Sequence, residues 1–222
     1  MSAQQPTRYV IDLALATDRA QVGGKAFHLQ RVLALGVPAP TGFVIACGAL
    51  THFLAENQLT VQVERYWRQA ANQLGEELRW HYAALCAAIS AAPMPADLAA
   101  AITARADELF AVAPAGLAVR SSGVHEDATT ASFAGVYTSY LGIQRHVTLW
   151  TAIRHCWCAA WSPSALAYAR RMNIDLQPDG MALLVQPVLP AVSAGVLFTA
   201  DPRTGNPWRF VINATWGLAQ DL

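Results

Sequence analysis

Helix-type and strand-type patterning are segregated along this chain, and the change falls near residue 116. Before it, residues 24–35 carry Leu29, Val32, Leu33 and Leu35 as an apolar stripe that Gly36 and Pro38 terminate. That places the pair Gly23-Gly24 at a helix amino end. Residues 43–45 form a short strand after the turn at 38–42, residues 49–57 form a helix, and residues 61–90 favour helix throughout. Pro93 and Pro95 break the pattern, and Asp97 is expected to cap a helix that turns Leu98, Ile102 and Leu109 toward the core.

Beyond residue 116 the strand candidates are 117–120, 136–143, 181–189, 194–199 and 208–213. One helix interrupts them at 147–161, with Leu149, Ile153 and Trp157 at successive i+4 positions on one face. The run Asp201-Pro-Arg-Thr-Gly-Asn-Pro207 is a dense turn signal and makes the last two strands an antiparallel hairpin. The sequence shows no internal repeat or linker. Its 222 residues suit one large domain or two closely packed lobes, helix-rich over 1–115 and strand-rich over 116–222.

Composition excludes some functions. Fifteen basic and fifteen acidic residues cancel, so no global field draws the chain to nucleic acid or to a membrane surface. The hydrophobic content of 54% and mean hydropathy of +0.27 are high, yet no uncharged apolar run spans a bilayer. The surplus is expected in a core or a docking surface. Residues 1–9 lack the apolar segment of a secretory signal, which makes a reducing cytoplasm the expected compartment. Cys47 and Cys86 are isolated, and Cys156 and Cys158 point to different faces of their helix and match no zinc spacing, so no metal ligands are assigned. The histidines are scattered, and none pairs with a serine or cysteine in a nucleophile motif.

Four short segments have residues suited to a polyphosphate ligand. Gly23-Gly24-Lys25 opens a helix, where amide groups and the helix dipole favour anions and the lysine adds a mobile charge; a solvated lysine at a helix start explains it as well. Arg120-Ser121-Ser122 follows an apolar strand, so a guanidinium fork and two hydroxyls would emerge together, unless Arg120 is paired with Glu126 or Asp127. In the small-residue run 131–136, backbone amides can approach phosphate closely with Phe133 as a lid, and a plain tight turn is the alternative. Val185-Gln186-Pro187-Val188 ends an apolar strand that can offer an adenine ring an edge donor and acceptor, or simply be core.

Taken in order, the motifs resemble the nucleotide-binding domain of the phosphoenolpyruvate synthase and pyruvate phosphate dikinase family, which includes rifampicin phosphotransferases. They are Val22-Gly-Gly-Lys-Ala26, Gly36-Val-Pro-Ala-Pro-Thr-Gly-Phe43, Ala118-Val-Arg-Ser-Ser122 with Glu126-Asp127, and Ala131-Ser-Phe-Ala-Gly135. Val185-Gln186, Ala194-Gly-Val-Leu-Phe-Thr199 and Asn213-Ala-Thr-Trp-Gly-Leu218 complete the set. The resemblance implies an α+β, ATP-grasp-like domain with mainly antiparallel sheets. The whole of 1–222 would be the amino-terminal portion of that domain, incomplete at its carboxyl end.

It also implies ATP and Mg2+ as cofactors and assigns roles. Lys25, with Gly23 and Gly24, resembles the phosphate-contacting site, and Arg120 the arginine that stabilises the transferring phosphoryl group. Ser132, Phe133, Ala134 and Gly135 correspond to the phosphate-covering loop, and Gln186 and Val188 to the adenine-holding strand. The implied activity passes a phosphoryl group from ATP through a histidine to pyruvate. The alternatives are a rifampicin-type acceptor or a non-catalytic nucleotide module. One departure concerns the metal: Gly217-Leu-Ala-Gln220 stands where many relatives have Gly-Leu-Gly-Glu, and neutral Gln220 is a poor ligand for a hard cation, so that either Asp221 substitutes or the metal is held by residues outside this chain. No histidine, His125 included, matches the phosphocarrier motif. The chain alone is therefore expected to be inactive, with pyruvate engaged by domains it lacks and an apolar seam that can pair two copies as a homodimer.

Overall fold

The structure is a computed structural model that describes residues 9–72, 75–124, 137–174 and 180–218. It divides into two compact units, Met1–Val188 and Leu189–Leu222. In the first, a five-stranded sheet is formed by β1 (Val10–Asp12), β2 (Phe43–Ile45), β3 (Leu117–Gly123), β4 (Ser139–Ile143) and β5 (Met181–Pro187). The spatial order is β1-β2-β5-β3-β4, and every neighbouring pair is antiparallel. The fold is α+β with antiparallel sheets, as the resemblance implies.

The pleat sends alternate residues to opposite faces. On one face, Phe43, Ile45, Leu117, Val119, Leu183 and Val185 join the larger core. Helices α2 (Cys47–Glu56), α3 (Thr60–Asn72), α4 (Glu76–Ala91), α5 (Ala96–Phe110) and α6 (His146–Ala159) supply its other side with Phe53, Tyr66, Ile89, Ile102 and Trp157. On the other face, Val44, Ala182 and Leu184 pack with Leu13, Val22 and Ala26, the last two from α1 (Arg19–Ala34). Covering both faces explains why β5 reads as an unbroken apolar run, and each large aliphatic side chain buried this way contributes about 1.5–3 kcal/mol.

Local chemistry explains where the elements depart from the sequence reading. Helix α1 starts at Arg19, earlier than expected, because the Asp18 carboxylate accepts from the Ala20 amide. Its expected stripe is only half used: Leu29 and Leu33 pack inward while Val32 is exposed and Leu35 is 81% exposed. Residues 61–90 hold two helices, and the second begins after Gly75, whose φ is +101°. Asp97 is not a cap. Pro95 holds that position without a side-chain bond, and the Asp97 carboxylate instead meets His52 Nε2 at 3.0 Å.

Three described elements escape the reading: β1, three residues long, a short 3-10 helix over Leu13–Leu15, and α7 (Pro163–Arg171), capped by Ser162 Oγ, which accepts from the Ala165 amide at 3.2 Å. Among the described residues no single helix is long and apolar enough to cross a membrane.

In the second unit, β6 (Ser193–Phe198) and β7 (Val211–Trp216) form the expected antiparallel hairpin, in register Ser193↔Trp216 through Phe198↔Val211. The strand anticipated at 208–213 starts three residues later because the turn claims Trp208, whose amide donates to Asn206 Oδ1 at 2.9 Å. Asp201 organises that turn. Its Oδ1 accepts from the Arg203 amide, its own amide donates to Asn206 O, and its carbonyl accepts from the Gly205 amide.

Candidate functional site

Helix α1 is broken at Gly23, where φ is +74° and ψ is 172°, a conformation open essentially to glycine alone. The break brings the helix onto β3. A Cβ at Gly23 would lie 1.8 Å from the Ser122 carbonyl oxygen, so no other residue allows this approach. Beside it, the Ser122 hydroxyl accepts from the Ala26 amide at 3.0 Å and donates to the Val22 carbonyl at 2.8 Å.

The break also sets Lys25, whose Nζ donates to the Ser121 carbonyl at 2.8 Å. That carbonyl belongs to the residue next to Arg120. Arg120 is the one exposed residue of a strand otherwise buried from Leu117 to Gly123, and among the described residues its guanidinium has no hydrogen-bond or ion-pair partner. The structure thus brings the Gly23-Gly24-Lys25 segment and the Arg120 strand together, although 95 positions separate the two cations. Glu126 and Asp127, the alternative partners of Arg120, lie outside the described residues.

The two serines do not emerge with the arginine, contrary to the sequence reading. Strand alternation sends Ser121 and Ser122 to opposite faces and both are buried; the Ser122 hydroxyl is spent on α1 and Ser121 Oγ has no partner among the described residues. Behind the sheet, Cys156 Sγ lies 3.6 Å from the Thr138 carbonyl and 3.9 Å from that of Val119. Burial pushes its thiol up to about 12, with the Lys25 charge pulling the other way.

Gln186 stands on β5 opposite Ala118, on the sheet face that also holds Arg120 and Ser122. Its side-chain amide donates to the Pro40 carbonyl at 2.6 Å, and the Val188 amide donates to the Gly116 carbonyl at 2.9 Å. The strand end is rigidly tied, with those two donors already engaged. The proposed covering loop, Ser132, Phe133, Ala134 and Gly135, lies outside the described residues, as do His125, Gln220 and Asp221.

Sequence reasoning missed two features. Ser122 was a candidate ligand contact, and no local pattern shows a hydroxyl bridging a helix about a hundred residues away. The other had a signal in plain view: Lys25 is the single lysine among fifteen basic residues. Where arginine serves at every other basic position, this one carries a compact ammonium with three rotatable donors, suited to a phosphate approached end-on.

Several known proteins are similar to this chain over most of its length. The family described as pyruvate phosphate dikinase, AMP/ATP-binding domain, matches residues 19–222. The rifampicin phosphotransferase of Streptomyces sviceus is 35% identical over 222 residues, covering 97% of this chain and 25% of that protein. The phosphoenolpyruvate synthase of Aeropyrum pernix is 32% identical over 203 residues, covering 90% and 25%. The prodigiosin synthesizing transferase of Serratia marcescens is 33% identical over 202 residues, covering 91% and 21%. The chain thus spans about a quarter of the length of these curated relatives.

Proposed function

Since the chain belongs to the pyruvate phosphate dikinase AMP/ATP-binding domain family, we propose that Lys25 and Arg120 form the phosphate end of an ATP site on its five-stranded sheet. The observation that carries this is the Lys25 ammonium held at 2.8 Å on the Ser121 carbonyl, one residue from a solvent-facing arginine. Two cations from different elements, fixed to one strand, suit a polyphosphate better than a single carboxylate. Gln186 and Val188, locked at the end of β5, are read as the wall for the adenine ring, which is held by shape and edges rather than charge.

In this reading Lys25 orients the terminal phosphates and Arg120 balances charge as the phosphoryl group leaves, so the protein acts by positioning and electrostatic stabilisation. Magnesium, when bound, would supply positive charge that offsets the charge of the phosphates. The phosphoryl group is proposed to pass to a histidine and then to pyruvate. A second reading, favoured by the rifampicin phosphotransferase at 35% identity across 97% of this chain, keeps the ATP site and changes the acceptor to an antibiotic hydroxyl. Two of the described histidines, His52 and His146, are engaged by Asp97 and Asp107, and none of the six in the sequence matches the phosphocarrier motif. The chain by itself is therefore proposed to bind nucleotide without pyruvate-dependent turnover.

Calorimetric titration with magnesium-ATP and with adenosine tests the site. Lys25→Ala should weaken ATP by about tenfold, the loss expected for one charge-assisted contact, and leave adenosine and the melting temperature unchanged. ATP affinity untouched by both Lys25→Ala and Arg120→Ala would remove the pair from the site.

A further inference from the structure

In an unbroken helix the Ala26 amide would donate directly to the Val22 carbonyl, four residues back. Here those two groups are the ones that the Ser122 hydroxyl joins, accepting from one at 3.0 Å and donating to the other at 2.8 Å. A strand side chain has been inserted into the helical ladder, one of the recognised causes of a sharp kink. Val22, Ala26 and Ser122 are all buried, so water does not substitute for the hydroxyl. Gly23 supplies the conformation and Ser122 the hydrogen bonds.

We infer that Ser122 is a positioning residue for the phosphate end of the nucleotide site: its hydroxyl wedges α1 open at Gly23 and so fixes the Lys25 ammonium on β3 beside Arg120. The nucleotide half of this inference rests on the function proposed above; the positioning of Lys25 does not. Without the hydroxyl, the Ala26 amide and Val22 carbonyl are either orphaned or rejoined as an ordinary helical bond. Rejoining them turns residues 19–22 against residues 24–34 and draws Lys25 off the Ser121 carbonyl. The neighbouring Ser121, equally buried but facing the other core and with no hydrogen bond to its hydroxyl among the described residues, has no such leverage.

The test uses the single lysine of the sequence. Acylation by a small amine-directed ester labels only Lys25 and the α-amino group, and mass spectrometry follows Lys25 in the whole chain. Ser122→Ala is expected to speed Lys25 acylation several-fold and to weaken magnesium-ATP by about tenfold while adenosine affinity holds, the split that loss of one charge-assisted contact produces. Ser121→Ala should behave as wild type in both measurements. If Ser122→Ala does not fold, Ser122→Cys fills nearly the same space with a weakly bonding thiol and should move both measurements in the same direction.

Acylation at the wild-type rate in the Ser122 variants overturns the inference, as does equal acceleration in Ser121→Ala. ATP and adenosine weakened in the same proportion would reduce Ser122 to ordinary packing and also overturn it. Faster acylation of Ser122→Ala in a protein whose wild type binds no magnesium-ATP would uphold the wedge and overturn the nucleotide reading.

Discussion

The five-stranded sheet and the β6–β7 hairpin are built from similar strands, and burial treats them in opposite ways. Met181 through Gln186 on β5 are buried, with strands on both sides and helices on both faces. On the hairpin, Leu197 is 55% exposed, Ile212 69% and Trp216 83%, although all three share one face by register. Alternation assigns a residue to a face; only neighbouring elements decide whether that face is covered. The candidate site sits on the covered sheet, where Lys25, Arg120 and Gln186 ride on elements packed too tightly to drift.

The largest expected difference is in local stability. Amide hydrogen exchange should show β3 and β5 protected by the full unfolding free energy, about 5 kcal/mol or more, and β6 and β7 opening far below it. Equal protection would mean that the hairpin shares the stability of the sheet. Substitution should follow the same divide. Leu183→Ala, in the larger core, is expected to cost about 3 kcal/mol in denaturant unfolding, and Ile212→Ala less than about 0.5 kcal/mol.

Two glycines with nearly the same φ sharpen the comparison. Gly23 has φ +74° with the Ser122 carbonyl filling its Cβ position; Gly217 has φ +77° with nothing within 4 Å among the described residues. Gly23→Ala should therefore cost about 2–3 kcal/mol and Gly217→Ala about 1 kcal/mol, the second being backbone strain alone. Matching losses at the two positions would show that the close approach on β3 relaxes freely.

The smallest effect is alkaline. Burial raises the Cys156 thiol from its ordinary 9.0 to about 12, so the unfolded chain loses that proton before the folded one does. Its contribution is intact below pH 9.0 and falls as pH rises toward 12, by about 1 kcal/mol at pH 10. Cys156→Ala should reduce this slope without abolishing it, because burial also raises Tyr66, Tyr82 and Tyr140 and a hydrogen bond with Cys86 raises Cys158, whereas the hairpin, with no cysteine or tyrosine from 189 onward, should show no such slope.

Much of the fold was legible along the chain because it depends on short-range pattern. The apolar spacing of Leu149, Ile153 and Trp157 marks α6, the Asp201 turn marks the hairpin, and Gly36 with Pro38 ends α1. Elements that lean on distant partners were not legible: β1 is three residues held by β2, and the start of α5 was misread because a proline took the place expected for Asp97.

The site divides in the same way. By itself the sequence determined the chemical inventory: a lone lysine after two glycines, an arginine ending an apolar run, and an ordered set of motifs that places the chain in its family. Only the tertiary structure decided which of these groups meet. The Ser122 hydroxyl, a hundred residues from Val22, bridges the two sides of the break in α1 at Gly23 and so hands Lys25 to the strand of Arg120. A wedge of this kind leaves no periodic trace in sequence, because its two halves are joined by a hydrogen bond across space and not by spacing along the chain.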